Sequence, residues 1–338
     1  MPNIFQTSEL TVGELFSSNT VYVIPAYQRP YAWGEKHVDD LRKDILDTFN
    51  QVRRLGAAFP GYFVGALYTR DLLASSDFDA DLQARTHNSE GRFSIGFEDL
   101  NRQGVKFVEV LDGQQRLTTL FLLRQHFQMP GGMITLKNGQ VIPTVLPAMQ
   151  DRYFFLELIA HQQPQVQAYS QRKLQHTQHY WATASWATGG SNGLQAEPQD
   201  ITSVVDTLFR VTDHRLLEPN FAIQIFQSQN DRGKKLTYVE RLKSLFMLFD
   251  YNLCHSKHQS TIQDVFAHLY RTLDTSMQRD VFFDEDEPGE NEFLRTFYVL
   301  LHIGQNADVM WTSMEDTYEY FRAEVAKDPD ATDAKLKG

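Results

Sequence analysis

Val110-Leu-Asp-Gly-Gln-Gln-Arg-Leu-Thr-Thr-Leu-Phe-Leu-Leu123 is the stretch on which the fold turns. Phe107 to Leu111 is β-branched and apolar, a strand of the buried kind. It passes through Asp112-Gly113 straight into a predicted helix from about Gln114 to Phe127, whose Leu117, Leu120, Phe121, Leu123 and Phe127 share a broad apolar face. A strand feeding a helix through two residues leaves the first helical N–H groups and the positive end of the helix dipole just after Gly113, a place suited to an anion. Gly113 permits a tight turn and close approach of a ligand. Arg116 offers a planar fork for phosphate oxygens. Asp112 can hold Mg²⁺ or orient a water, and Gln114 or Gln115 can contact an attacking water or a base. The competing reading makes Asp112 an N-cap and the Gln-Gln-Arg run a solvated first turn. No GxxxxGK[ST] loop occurs in the chain, so any phosphate site is not of the Walker type.

Outward from this stretch, the N-terminal part reads as mixed α/β. Thr11 to Phe16 predicts a short helix after an unremarked lead-in. Val21 to Ile24 predicts a strand ended by Pro25. Apolar residues at helical spacing predict a helix from Lys36 to Leu55, and Gly61 to Thr69 a second strand. The polar span 75–104 reads as an excursion. Asn138-Gly139 between Ile134 and Val141 signals a hairpin. After Pro147 helical patterns dominate, interrupted by one β-like segment, Phe221 to Phe226. The expected organisation is an α/β domain over 1–147, a mainly helical domain over 148–325 that completes the pocket, and a polar linker or chain end over 326–338.

The composition narrows the partners. The 338 residues are 42% hydrophobic with a net charge of −11, which fits a folded protein rather than a disordered one. An acidic body disfavours loose coating of DNA, because that mode rests on counterion release by Lys and Arg. Nucleic acid would therefore be met through a local basic pocket. The single cysteine, Cys254, excludes an internal disulfide framework. No apolar run approaches the roughly 20 residues that span a bilayer, and the opening residues lack a secretory pattern. The expectation is a cytoplasmic protein without membrane contact.

Further segments accompany the 110–123 stretch in order. Ile24-Pro-Ala-Tyr-Gln-Arg-Pro-Tyr-Ala-Trp33 sets Tyr27, Gln28, Arg29, Pro30, Tyr31 and Trp33 just past a strand end, where aromatic faces beside an Arg can stack a base and clamp a phosphate. The alternative is a loop whose aromatics pack on the following helix. Tyr62-Phe-Val-Gly65 is followed by Asp112-Gly-Gln-Gln-Arg116, then by Phe226 to Leu236 with Asn230, Arg232 and Gly233, then by Glu240-Arg-Leu-Lys243 and Asn291 to Arg295. This ordered set resembles the N-terminal domain of GmrSD-type restriction enzymes and SspE-type phage-defence proteins over about residues 10 to 300. The resemblance implies a ParB/sulfiredoxin-like α/β fold followed by a helical region. It also implies hydrolysis of a nucleoside triphosphate, with Mg²⁺, coupled to recognition of modified DNA such as phosphorothioate DNA or modified bases. A nuclease of the His-Asn-His type is implied as a partner, following as a C-terminal domain or acting from another polypeptide.

On this reading Asp112, Gln114, Gln115 and Arg116 are the catalytic candidates. Gly113, Arg29, Asn230, Arg232 and Gly233 are the nucleotide or phosphate ligands, and the 27–33 residues sense the DNA modification. The rival functions are a non-catalytic sensor of DNA or nucleotide, or a scaffold, regulating a partner nuclease. The base of the nucleotide and homo-oligomerisation stay open. His176/His179 and His255/His258 have i,i+3 spacing but no third ligand at diagnostic distance, and read as ordinary histidines. Cys254 reads as a small core residue and Asp284 to Glu287 as a solvated acidic loop. Trp181 and Trp186 read as either core or a docking patch.

Overall fold

The computed structural model describes residues 4–25, 28–71, 104–187 apart from 136, 138 and 140, 195–217, 238–253, and single positions between 258 and 269. The chain divides into two compact units, one of residues 1–25 and 30–222 and the other of 26–29 and 223–338.

The larger unit is an α/β structure built on a six-stranded mixed sheet. In chain order its elements are β1 (Phe5–Thr11), α1 (Val12–Ser17), β2 (Thr20–Val23), α2 (Glu35–Leu55), β3 (Tyr62–Asp71), β4 (Lys106–Asp112) and α3 (Gln114–His126). There follow β5 (Met133–Thr135), β6 (Val141–Pro143), β7 (Val145–Leu146), α4 (Met149–Ile159), α5 (Tyr169–Thr183), α6 (Pro198–Leu208) and β8 (Phe209–Leu216). The sheet order is β1-β8-β3-β4-β2-β7, and β5 and β6 form a separate antiparallel hairpin. β8 runs parallel to β3 and antiparallel to β1, while β4, β2 and β7 are mutually parallel. Parallel neighbours need crossovers, and helices supply them.

Two strands depart from the sequence expectations. β1 occupies the stretch that reads as lead-in, and β8 lies in the stretch expected to be helical. Most of β1 is exposed, so it carries little apolar alternation. β8 follows α6 without an intervening turn residue and points Asp213 inward where an apolar residue would be expected. Because β8 lies between β1 and β3, the sheet takes strands from both sides of residue 147, and the larger unit runs past that position to 222. The β-like segment 221–226, the excursion 75–103 and the tail from 270 lie outside the described residues.

The main core forms where the sheet's Tyr22, Val108, Val110, Leu67, Phe209 and Val211 meet α1 to α6. α1 starts on a capping box in which Thr11 and Glu14 each satisfy the other's backbone N–H. α3 sits centrally. Leu117, Thr118, Thr119, Leu120, Phe121, Leu122, Leu123 and Arg124 are all buried, so this helix is enclosed on every side instead of along a single face. Trp181 and Trp186 stack at 5.9 Å within this core, which makes them packing residues. A second cluster, Val21, Val23, Phe107, Ile134, Ile142 and Leu146, ties the β5–β6 hairpin to the other sheet face.

Arg124, with 0% exposure, pairs with Asp206 of α6, donates to the carbonyl of Pro130 and lies over the Phe16 ring. A buried guanidinium needs this many partners, because desolvation works against its charge. The pair fastens α3 to α6 and to the turn that follows α3.

In the second unit, α7 (Tyr238–Leu253) packs Val239, Leu242, Leu245 and Met247 with Ile262 and Phe266. The Asp250 carboxylate there accepts the His258 backbone N–H at 3.0 Å. Among the described residues no helix is long and apolar enough to cross a membrane.

Candidate functional site

The turn between β4 and α3 has the conformation its sequence demands. Gly113 is the N-cap of α3 with φ +94°, in the left-handed region that L side chains rarely adopt. No side chain caps the helix, and the first backbone bond runs from Leu117 N–H to the Gly113 carbonyl at 3.0 Å. The amides of the first turn therefore have no acceptor within the helix itself. This geometry differs from the Asp112-capped alternative. The glutamines are not solvated either, since Gln114 is 5% and Gln115 6% exposed.

The two glutamines are fixed differently from the arginine that follows. The Gln115 side-chain oxygen accepts the Ala32 backbone N–H at 2.8 Å, and its amide nitrogen donates to the Pro30 carbonyl at 3.2 Å. Both ends of one amide thus hold the backbone of residues 30–32. Tyr31 turns inward beside it. Its hydroxyl meets Thr119 at 2.7 Å and Thr177 at 3.1 Å, and burial pushes its pKa up to about 12 despite those hydrogen bonds. Trp33 stacks on His37 of α2 at 5.7 Å and packs against the main core. The aromatic residues 31 and 33 are thus packing residues at least in part, as in the alternative reading of that loop.

Arg116 is half-buried and points towards β3. Its Nη1 donates to the Val64 carbonyl at 2.9 Å. Among the described residues no carboxylate pairs with it. The guanidinium lies directly on Gly65, whose φ is +136°; a Cβ added there would come within 1.5 Å of Nη1. β3 bulges here, for its register with β8 shifts between Phe63 and Gly65. Gly65 and Val64 were not among the site candidates. The signal was available, since an isolated glycine inside a strand marks a bulge or a close approach, but the sequence does not say what approaches.

Between these elements lies a half-open cleft lined by Gly65, Ala66, Leu67, Gly113, Arg116 and Leu117, among others, with a volume of about 20 Å³. That is room for roughly one water, so a larger ligand would lie across the mouth. Asp112, half-buried at the end of β4, takes no hydrogen bond or ion pair from a described side chain. No group of three His, Cys, Asp or Glu able to hold a metal occurs among the described residues.

The structure thus brings together Asp112, Gly113, Gln114, Gln115 and Arg116 with Pro30, Tyr31 and the two β3 residues. Gln28 and Arg29 belong to the second unit, where Gln28 is buried at 2% exposure. Tyr27, Asn230, Arg232, Gly233, Cys254 and His255 lie outside the described residues. Lys243 on α7 is buried at 3% exposure, whereas His176 and His179 are exposed on α5.

No curated protein matches the chain. The family described as the GmrSD restriction endonuclease N-terminal domain matches it over residues 12–247, well over half its length and across the strands, turn and helices that build this cleft. The chain belongs to that family, whose members are modules of restriction and phage defence.

Proposed function

We propose that the chain hydrolyses a nucleoside triphosphate at the mouth of the Gly113 cleft and couples turnover to modified DNA, so controlling a nuclease. The observation that carries this reading is Arg116: a half-buried guanidinium at the wall of a cleft, fixed by a backbone carbonyl, with no described carboxylate to neutralise it. A cation so placed beside the amino end of a helix favours a polyphosphate. Arg116 holds phosphate oxygens and offsets the charge that grows on them as the bond to the leaving diphosphate breaks. Water attacks the terminal phosphorus, and Gln114, in the first turn of α3, orients it. Gln115 holds the 30–32 backbone, which gives the loop proposed to meet modified DNA a mechanical link to the helix that meets the nucleotide.

Mg²⁺ fits this arrangement in a restricted sense. Asp112 supplies a single carboxylate, and such sites are often completed by substrate phosphates and water. Bound there, the ion would neutralise phosphate charge.

The test is phosphate release from GTP, ATP, CTP and UTP with Mg²⁺, with and without phosphorothioate or base-modified duplex, for the 338-residue chain and for Arg116→Ala. Loss of release in a variant that keeps its circular dichroism supports the proposal; unchanged release sinks it. The second reading is binding without turnover. Nucleotide binding by calorimetry with no phosphate release from the wild-type chain would establish that instead.

A further inference from the structure

We infer that Gly65 is a positioning residue for Arg116, and that the bulge in β3 exists to hold that guanidinium in place. The inference rests on the nucleotide-hydrolysing reading for its consequence, but its geometry stands apart from it. Three observations converge. The β3–β8 ladder pairs Phe63 with Arg210 and then Gly65 with Val211, which leaves Val64 as the extra residue. A bulge takes one residue out of the regular ladder, and the Val64 carbonyl accepts from Arg116 Nη1 at 2.9 Å. At position 65 the guanidinium occupies the volume a side chain would need: a Cβ would stand 1.5 Å from Nη1, 2.7 Å from Cζ and 3.3 Å from Nη2. No rotation of a methyl group relieves such an overlap, so any L residue at 65 must drive Arg116 off its carbonyl.

The consequence is a fixed donor. Anchoring one guanidinium nitrogen to a backbone carbonyl leaves the rest of the fork aimed from a defined point at the cleft wall that Arg116, Gly65 and Gly113 share. Arginine otherwise samples many rotamers, and a donor that is already in place when charge develops is the more effective. Tyr62-Phe-Val-Gly65 and Asp112 to Arg116 are thus two halves of one device, although 47 positions separate the glycine from Asp112.

The test is a double-mutant cycle of Gly65→Ala and Arg116→Ala in the full chain, read by phosphate release from GTP and ATP with Mg²⁺ and by thermal melting. In the wild-type background Gly65→Ala should lower kcat by about 100-fold, the scale of removing one transition-state donor. In the Arg116→Ala background it should change kcat by less than about twofold and lower the melting temperature by less than it does alone. Equal losses in both backgrounds, or full activity in Gly65→Ala, overturn the inference. If Gly65→Ala alone does not fold, a folded double variant supports the contact. An unfolded double overturns it, since the glycine is then required by the backbone alone. If Arg116→Ala keeps full hydrolysis, the nucleotide reading falls, while the melting cycle still reports on the contact.

Discussion

Two arginines eight positions apart on α3 meet opposite ends. Arg124 is closed off from water, paired with Asp206, bonded to the Pro130 carbonyl and laid over Phe16. Arg116, two turns earlier, has a carbonyl and a glycine beneath it and no described counter-charge. The first is paired with a carboxylate inside the protein and joins three parts of the chain. The second is held in position and left electrostatically incomplete. A guanidinium that is held in place and has no counter-charge among the described residues is where we propose that the nucleotide binds.

That contrast can be broken most directly at Asp206. Asp206→Ala strands a buried guanidinium and should cost about 3–5 kcal/mol of stability, read as a lower urea midpoint; a cost below about 1 kcal/mol would make the pair dispensable. Arg116→Ala should invert the pattern, lowering phosphate release by about 10²–10³-fold with almost no change in the same midpoint. Equal stability losses at the two arginines would erase the distinction drawn here.

Gln115→Ala sharpens the picture at the first turn. It removes the partners of Ala32 N–H and the Pro30 carbonyl, so a stability loss of about 1–3 kcal/mol is expected, with faster hydrogen exchange confined to residues 31–33. Uniform protection across that loop would show that other contacts hold it. The smallest effect belongs to Tyr31→Phe, about 1 kcal/mol at neutral pH. Its alkaline behaviour is more telling. The folded-state pKa of Tyr31 is raised from 10 to about 12, so the unfolded chain loses this proton first. The stability this group contributes is intact below about pH 10 and is lost as pH climbs through about 12. Urea midpoints at pH 8 and pH 11 should therefore converge more in Tyr31→Phe than in the wild type.

Much of the α/β unit is legible in its residues. The strands at 20–23, 62–71 and 106–112, the helices at 12–17, 35–55 and 114–126 and the 133–143 hairpin each have a local signal, from β-branched runs to helical spacing and a turn dipeptide. β1 has little, and β8 has only the short Phe209–Val211 alternation. β1 is mostly exposed, and β8 places Asp213 inward, where Thr69 donates to it at 2.6 Å and Arg215 pairs with it at 3.3 Å. A polar residue satisfied by tertiary partners looks from the sequence like a break in the pattern. The site follows the same division. The turn, its glycine and Arg116 can be read from the local run of residues. What Arg116 rests on, and the holding of loop 30–32 by Gln115, depend on pairs 52 and 85 positions apart, where no periodicity reaches.

The position of β8 also governs how this protein comes off the ribosome. β1, β2, β3 and β4 are all made before residue 112, yet β1 has no neighbour in the sheet and β3 lacks one flank until residues 209–216 arrive to lie between them. For about a hundred residues of synthesis β1 and the outer edge of β3 stay unpaired, the condition under which chains pair with the wrong partner. The late strand closes both gaps at once, so fragments that stop near residue 147 should be lost to aggregation, and useful truncations must extend beyond 216.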